Sequence, residues 1–418
     1  MNVGDVRKVC PYTASKSIRL CVVHNYHRSH VPSGEDAAVD IEVEALNAHP
    51  SIQLSIFRRS NDEVNVRPIG VRFEAAIMQV WNVASLRALG EVILRDRVDI
   101  VHIHNTFPLI SLGAMQVAKS HGAMVVWTAH NFRPWCIASS FMRDGVKCTL
   151  CVDQASILPG IENACYGDSV VLSMLSGLAG LYHQRVGTIR HHVDAILAVS
   201  EFQRKSLIAL GLDDRKIKIK PNVVRTKAPV PFLERTIDLV FLGRLSEEKG
   251  IRILLEALKR CKDYGISVKA VIVGDGPLKA EIESRARADL LDLSVLGMQE
   301  HGEAMRILAG ARLLVAPSLV EETFGMSVAE AFSLGVPAIT SDRGGVVEHQ
   351  SKVAPGMIYP ADSSPDLAAL IMSLFEDRQR WEALSKDVHR YFLDSMTATV
   401  QTEKLIDVYR SLLQHRES

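Results

Sequence analysis

Residues 237–250 read IDLVFLGRLSEEKG, a short apolar run followed by a polar loop between two glycines. The run has the length and the β-branched and aromatic content of a buried strand, and a segment with helical periodicity follows the loop. This alternation continues almost from end to end. It predicts further strands at residues 18–25, 52–57, 100–104, 124–130 and 195–200, and then at 268–274, 293–297, 311–317, 337–341 and 357–359. Strands that alternate with helices form parallel sheets, so we predict an α/β protein with two doubly wound, Rossmann-like sheets.

The chain is long enough for two domains, with 418 residues of near-average globular composition, 47% hydrophobic and 23% charged. A polar stretch with three prolines, at 212–235, separates the two sets of strands. We predict an N-terminal domain at 1–215 with a cysteine-rich insertion at 131–168, a C-terminal domain at 216–394, and a helix at 395–418 that returns to the first domain. Ligands bind beyond the carboxyl ends of parallel strands, so two facing sheets favour an interdomain cleft for two substrates.

Charge and hydropathy exclude several classes of protein. Lys and Arg together number 48, as do Asp and Glu, so there is no electrostatic case for nucleic acid. Residues 1–17 lack an apolar block of signal-peptide length, and the least polar later stretch, 169–182, is too short to span a bilayer. We therefore expect a cytoplasmic protein. Residues 169–186 either face a bilayer surface or pack against the sheet, and packing is the expected outcome.

The densest motif is VEETFGMSVAEA at residues 320–331. Glu322 precedes a helix expected to begin near Gly325, and Glu330 lies about one turn further along it. Amides at a helix N-terminus suit a phosphate, and a carboxylate in that helix can accept hydrogen bonds from two neighbouring hydroxyls. Taken alone, the pattern favours a simpler interpretation, with Glu322 as a helix-dipole carboxylate and Glu330 solvated.

Two glycine-rich loops follow predicted strands of the second half. Arg244 and Lys249 lie in the first loop, where two cations would neutralise a diphosphate; an ordinary solvated loop is the alternative. The second is the turn GDGP at 274–277, which differs from the dinucleotide fingerprint G-x-G-x-x-G. An NAD-linked oxidoreductase is therefore disfavoured.

Together these motifs resemble the large family of retaining, nucleotide-sugar-dependent glycosyltransferases with the two-domain GT-B fold, which includes sucrose-, mannosyl- and capsule-forming enzymes. The resemblance covers nearly the whole chain. It rests on the two glutamates around Phe-Gly, Glu322 and Glu330, and on the Gly-Arg…Lys-Gly loop, the GDGP turn, Pro221-Asn222 and the Gly-Val-Pro segment at 335–337.

The resemblance implies that the domain at 1–215 holds the acceptor and that the domain at 216–394 binds the nucleotide sugar. It also implies a role for each donor-side residue. Arg244 and Lys249 would bind the donor diphosphate, Glu322 the hydroxyls of the transferred sugar and Glu330 the ribose. Further donor contacts would come from the glycine-rich loops and from the backbone around the Phe-Gly pair, at Gly274, Met298, Phe324, Gly325, Met326 and Ser327.

On the acceptor side, the sequence PSGED at 32–36 looks like the family's glycine-rich turn near the diphosphate, with Ser33 in place of the first glycine and Gly34 retained. His130, at the end of a predicted strand, matches the family's histidine near the reacting sugar and can donate a hydrogen bond or orient the acceptor. His102 and His104 share one face of the preceding strand, where packing or acceptor contact would explain them.

The segment HNFRPWC at 130–136 resembles a polysaccharide-forming subset of the family. This segment ends in a cysteine, and a Cys-x-x-Cys pair and a fourth cysteine come after it. A structural zinc ion could be bound by four cysteines at this spacing, Cys136, Cys148, Cys151 and Cys165. Buried free thiols, or thiols that oxidise, are the alternatives.

The resemblance therefore implies a retaining hexosyltransferase. Its donor would be a UDP-sugar, with a GDP-sugar as second choice, and its acceptor a glycan or lipid-linked molecule of polysaccharide or glycoconjugate biosynthesis. Arg244 and Lys249 would replace a divalent ion, so no cofactor would be required, and peripheral contact with the inner face of a membrane is consistent with such an acceptor. Alternatives are a nucleotide-sugar epimerase or a glycan phosphorylase of the same fold, and a non-catalytic nucleotide-sugar binding protein.

Overall fold

The structure is a computed structural model that describes residues 17–29, 33–65, 78–143, 146–226, 228–231 and 234–417. Pro32, in the predicted glycine-rich turn, lies outside these ranges. All eleven strands predicted from the sequence are present, with ends within three residues of the predicted ones. Together with one strand that was not predicted, at residues 217–219, they form two separate parallel sheets of six strands each, so the predicted doubly wound α/β class is confirmed.

The N-terminal sheet has the strand order β2-β1-β3-β4-β7-β8, and every neighbouring pair is parallel. Its strands are β1 (Ile18–Tyr26), β2 (Ile52–Ser60), β3 (Ile100–Ile103), β4 (Met124–Ala129), β7 (Ala195–Ala198) and β8 (Ile217–Ile219). A small antiparallel hairpin, β5 (Met142–Arg143) and β6 (Val146–Lys147), lies between β4 and β7 in the chain.

The C-terminal sheet has the order β11-β10-β9-β12-β13-β14, again with parallel neighbours. Its strands are β9 (Ile237–Leu242), β10 (Ala270–Val273), β11 (Leu293–Val295), β12 (Ala311–Ala316), β13 (Ala338–Ser341) and β14 (Ile358–Tyr359). The order runs outward in both directions from β9, so the loops after β9, β10 and β12 meet at one edge of the sheet.

Helices cover both faces of the two sheets. Those before β9 are α1 (Gly34–Ala48), α2 (Asp62–Asn65), α3 (Val83–Arg95), α4 (Gly113–Ser120), α5 (Leu150–Asp153), α6 (Leu158–Glu162), α7 (Val170–Arg185), α8 (Thr188–His192) and α9 (Glu201–Ala209). Those after β9 are α10 (Ile251–Asp263), α11 (Lys279–Ala288), α12 (His301–Ala309), α13 (Met326–Ser333), α14 (Val346–Val353), α15 (Ser364–Glu376), α16 (Arg378–Ser395) and α17 (Ala398–Glu417). Short 3-10 turns occupy Asp214–Lys216, Glu247–Lys249 and Pro355–Met357.

Alternate residues of the central strands enter opposite cores, as the two-residue period of a strand requires. In β1, Cys21 and Val23 pack with α3 and α4 on one face of the sheet, whereas Leu20 and Val22 pack on the other. The C-terminal sheet is likewise covered by two apolar clusters. Burial on both faces explains why the strands appear in the sequence as nearly continuous apolar runs.

The last helix, α17, packs against the N-terminal sheet. Leu405, Ile406 and Tyr409 are fully buried in the cluster that contains Leu20 and Val22. Strand β8 also belongs to this sheet, although it follows the boundary predicted at residue 215. Its sequence, Ile-Lys-Ile, alternates over only three residues within a charged stretch, so the sequence pattern does not distinguish it from a linker.

Helix α7 differs from the expectation of a buried helix, because one of its faces is exposed along the whole helix. Across the described part of the chain, no helix combines the length and the apolar character needed to cross a bilayer.

Replacing Leu405 by alanine should lower the free energy of unfolding by about 2–5 kcal/mol, because it removes a fully buried side chain and leaves a cavity between α17 and the N-terminal sheet. Leu393→Ala is the matched control, because Leu393 is 41% exposed and its truncation should change stability by less than about 0.5 kcal/mol. Urea denaturation of both variants measures the difference, and equal stabilities would show that α17 does not hold to the first domain in solution.

Candidate active site

The central feature of the cleft is an ion pair between two loops of the C-terminal domain. Lys249 Nζ lies 2.8 Å from Glu322 Oε1, and the Ser318 hydroxyl donates to the same oxygen. The two loops approach closely because Gly250 adopts φ 67° and a Cβ there would lie 1.8 Å from the Pro317 carbonyl oxygen. Within the described residues both partners of the carboxylate bond to Oε1, which leaves Oε2 for a ligand.

The carboxyl group of Glu322 is ionised at neutral pH. Burial disfavours the charged form, but the charge and hydrogen bond of Lys249, with the hydrogen bond from Ser318, outweigh burial and hold the pKa of Glu322 below its ordinary value. Lys249 and Glu322, both predicted from the sequence as site residues, therefore form an ion pair that is partly exposed to the cleft.

Glycines bring the neighbouring loops of this sheet edge close together. Gly274 has φ 145°, and a Cβ there would lie 1.8 Å from the carbonyl oxygen of Gly243. The amide of Gly274 donates to the Gly297 carbonyl over 2.9 Å, which brings the loop carrying Met298 to the same edge. Arg244 and Met298 both have exposed side chains there. The donor-side residues predicted from the sequence thus lie on adjoining loops beyond the carboxyl ends of adjacent strands.

Helix α13 begins immediately after Gly325, whose φ of 84° only glycine adopts easily. The amides of Met326 and Ser327 belong to its first turn, where N–H groups have no helical acceptor. Phe324 is buried and packs edge-to-face on His349 at 4.7 Å between ring centroids, so it contributes backbone to the cleft and not its ring. One turn further along, Glu330 Oε1 lies 3.8 Å from His301 Nδ1.

The loop that carries Glu322 also contacts the N-terminal domain. The hydroxyl of Thr323 donates to the His130 carbonyl over 3.1 Å, and the hydroxyl of Ser200 donates to the Thr323 carbonyl over 2.6 Å. A Cβ on Gly34 would lie 3.1 Å from Cγ of Met326. The acceptor-side residues Gly34 and His130 therefore lie next to the donor-side segment.

His130 is held by a second histidine from the preceding strand. Its Nε2 lies 3.0 Å from His104 Nδ1, and the two rings stack with centroids 5.3 Å apart. Burial, and then the nearby His104, His24 and Lys220, lower the pKa of His130 well below its usual value. The imidazole is therefore neutral at physiological pH, and no side chain or backbone group of the described residues bonds to its Nδ1.

Behind this pair, His102 and His104 belong to a buried polar network. Glu42 lies 3.4 Å from His102 and 3.3 Å from His104, a grouping that resembles a metal site. However, the ammonium of Lys220 bonds directly to Glu42, and His102 is bonded to Tyr409 and Thr128. The network contains its own cation, which indicates a structural role for His102.

A pocket with a cavity of about 70 Å³ opens beside His130. Sequence reasoning did not select two of its charged residues. Glu35 has a carboxylate oxygen with no hydrogen-bond partner in the described part of the chain, and burial raises its pKa to about 7. Arg133 lies over the ring of Phe107 at 4.0 Å. Both residues lie within motifs noted in the sequence, but nothing in those motifs shows that their side chains meet in one pocket.

The four cysteines of the insertion line a single small cavity of about 20 Å³, at Cys136, Cys148, Cys151 and Cys165. They are free thiols, and burial raises the pKa of Cys136, Cys151 and Cys165. Within the described residues, no three of their sulfur atoms lie within 4.8 Å of one another. The fold gathers the cysteines, but the sulfur atoms are more widely spaced than around a bound ion.

The chain matches two family models. Residues 225–390 match the family described as Glycosyl transferases group 1, and residues 57–228 match Glycosyltransferase Family 4. The two matches meet near residue 225, between the two sheets.

Curated relatives match part of the chain. The phosphatidyl-myo-inositol mannosyltransferase of Mycolicibacterium smegmatis is 30% identical over 249 residues, which cover 56% of this chain and 60% of that protein. The amylovoran biosynthesis glycosyltransferase AmsK of Erwinia amylovora is 27% identical over 193 residues, which cover 43% of this chain and 47% of AmsK. The alignments thus span about half to three fifths of these relatives.

The fold is similar to that of solved structures. A crystal structure of Anabaena HepE in complex with UDP and glucose aligns with a TM-score of 0.63 at 15% identity, covering 94% of this chain and 100% of that chain. At this identity the likeness concerns the fold alone. The two glycosyltransferase models together match residues 57–390, which begin within β2 and end within α16, and each model alone matches less than half of the chain. The fold itself is the GT-B fold, with two parallel-sheet α/β domains.

Proposed function

We propose that this protein transfers a hexosyl group from a nucleoside-diphosphate sugar to a hydroxyl of a glycan or lipid-linked acceptor, with retention of the anomeric configuration. The observation that carries the proposal is the Lys249–Glu322 ion pair, in a loop whose next residue, Thr323, bonds to the backbone of His130. A cation, a carboxylate and a neutral imidazole at one cleft suit a diphosphate, a sugar and an acceptor.

On the donor side, Arg244 and Lys249 bind the diphosphate, together with the first amides of α13. Glu322 Oε2 accepts hydrogen bonds from hydroxyls of the transferred sugar, and Glu330 accepts hydrogen bonds from the hydroxyls of the ribose. A UDP-sugar is the favoured donor and a GDP-sugar the second choice, a preference supported by the UDP bound to HepE.

The reaction is a front-face substitution. The bond from the anomeric carbon to the diphosphate oxygen breaks, a bond to the acceptor oxygen forms on the same face, and the acceptor's proton passes to the departing diphosphate. Negative charge grows on the diphosphate, where Arg244 and Lys249 stabilise it in place of a divalent ion. No carboxylate nucleophile takes part, in contrast to retaining glycosidases.

On the acceptor side, His130 orients the attacking hydroxyl through Nδ1, and the pocket lined by Glu35 and Arg133 receives the rest of the acceptor. A lipid-linked acceptor is supported by the name of the Mycolicibacterium relative, a phosphatidyl-myo-inositol mannosyltransferase.

We further propose that the four cysteines of the insertion hold one structural zinc ion. The cavity that they line lies among the hairpin of β5 and β6, whose strands have two residues each, and the short helices α5 and α6. These elements bury few apolar side chains. Binding would draw the sulfur atoms together, since Zn–S bonds are about 2.3 Å long. Four thiolates occupy all the coordination positions of a tetrahedral zinc ion, which leaves none for a substrate. This zinc therefore stabilises the insertion and takes no part in transfer.

Glu322→Gln should reduce kcat/KM for sugar transfer by about 100- to 1,000-fold, because it removes the charge that holds Lys249 and the sugar hydroxyls. Glu321→Gln is the matched control, because the neighbouring carboxylate pairs with Lys147 at the cleft rim and should change the rate by less than about threefold. Release of nucleotide from a panel of nucleotide sugars, with and without acceptor, measures both. Equal losses in the two variants would refute the assigned role of Glu322.

Glu35→Gln should change how stability depends on pH. In the folded protein the pKa of Glu35 is raised from 4.5 to about 7, so its stabilising contribution is complete below 4.5 and is lost as pH rises through about 7. The free energy of unfolding should therefore fall less in the variant over this interval, by about 1–3 kcal/mol. Urea denaturation across the pH range tests this, and parallel curves for wild type and variant would contradict it.

The purified protein should contain one zinc ion per chain. Cys151→Ser should lose the ion and unfold at a lower temperature, whereas Cys261→Ala, a buried cysteine of the C-terminal domain, should retain it. Elemental analysis and thiol titration are the measurements. A disulfide among the four cysteines, or zinc retained by Cys151→Ser, would rule out the tetrathiolate site.

A further inference from the structure

Helix α7 has its polar and apolar faces in the reverse of the usual order. A surface helix of a soluble protein buries its apolar face and exposes its polar face. In α7 the buried positions are small or polar and include Ser173, Ser176, Gly177 and His183, whereas large apolar side chains are exposed.

The inner face of α7 forms one wall of the acceptor-side pocket. Ser176, Gly180 and His183 line the cavity that also contains Glu35 and His130. Small residues allow close packing there, because a Cβ on Gly180 would make a tight contact, 3.2 Å from the Pro134 carbonyl oxygen. The inner face is therefore occupied by the pocket and the cysteine-rich insertion.

The outer face is a continuous apolar stripe. Met174, Leu178 and Tyr182 are 40%, 45% and 42% exposed and lie four residues apart, so they lie along one side of the helix. Val170, Val171 and Val186 extend the stripe at its two ends. Contiguous exposed apolar side chains on one helix mark an interaction surface, unlike single exposed residues.

The charges around the stripe indicate its partner. No acidic residue occurs between Ser169 and Val193; the exposed Arg185 lies at the C-terminal end of α7, and the exposed Arg190 follows in α8. The exposed acids Glu162 and Asp168 precede the helix. An apolar stripe with cations at its end fits the surface of a bilayer that contains anionic lipids.

We propose that the outer face of α7, defined by Met174, Leu178 and Tyr182, docks this protein on an anionic bilayer surface, and that the acceptor is a lipid-linked molecule that enters the pocket behind the same helix. This inference rests on the proposed glycosyl transfer for the identity of the acceptor, but not for the docking itself. A helix is about 10 Å across with its side chains, so docking places the pocket one helix diameter from the membrane.

Flotation of the full-length protein with phosphatidylcholine vesicles, with and without phosphatidylglycerol, tests the docking. The wild type should float with the vesicles, and more so with phosphatidylglycerol. The double variant Met174→Glu, Leu178→Glu should bind at least about tenfold more weakly, because it places two charges in the stripe. Leu393→Glu, at an exposed leucine of α16, should bind as the wild type does.

Release of nucleotide without vesicles separates the two proposals. The double variant should retain the wild-type rate in solution, because its substitutions lie outside the pocket, and lose transfer to acceptor only when that acceptor is embedded in vesicles. Vesicle binding without nucleotide release would overturn the glycosyl transfer and leave the docking intact. Absence of vesicle binding, undiminished binding by the double variant, or a dimer that the double variant dissociates would overturn the docking.

Discussion

The close approach of two loops in the C-terminal domain determines the rest of the site. Gly250 lies so near the Pro317 carbonyl that no side chain fits between them, and this contact holds Lys249 against Glu322. A lysine and a glutamate on separate exposed loops would gain little free energy from pairing, because fixing each loop and side chain costs conformational entropy. Here the backbone contact provides that ordering, so the pair is already positioned for a ligand.

A buried ion pair has a comparable role in the N-terminal domain. Lys220, at the start of the segment that joins the two sheets, bonds to Glu42 of α1, and Glu42 lies beside His102 and His104. Breaking such a pair leaves an uncompensated charge in the interior, so the network fixes its members firmly. Through His104 it positions His130, and through the hydrogen bond of Tyr409 to His102 it holds α17 to the same strands.

Helix α7 links the pocket to the surface of the molecule. Its small residues allow it to lie against the segment around Pro134, and its larger side chains consequently point outward. From sequence alone the apolar content of α7 favours burial, since apolar side chains are usually removed from water. The interior beside the helix is already filled by the pocket wall and the cysteine-rich insertion, so the positions that face inward are small or polar, among them Ser176, Gly177 and His183.

The sequence by itself determined the two parallel sheets, because strands buried on both faces must be apolar at nearly every position and must alternate with amphipathic helices. It also determined the loops that carry Lys249 and Glu322, because their glycines are required by the backbone. Strand β8 was not predicted, since three residues carry too little periodicity. Only the tertiary structure decided that Glu35 and Arg133 share a pocket with His130, that Lys220 neutralises Glu42, and which face of α7 meets solvent. These facts depend on contacts between residues far apart in the chain, and a local pattern of residues does not encode such contacts.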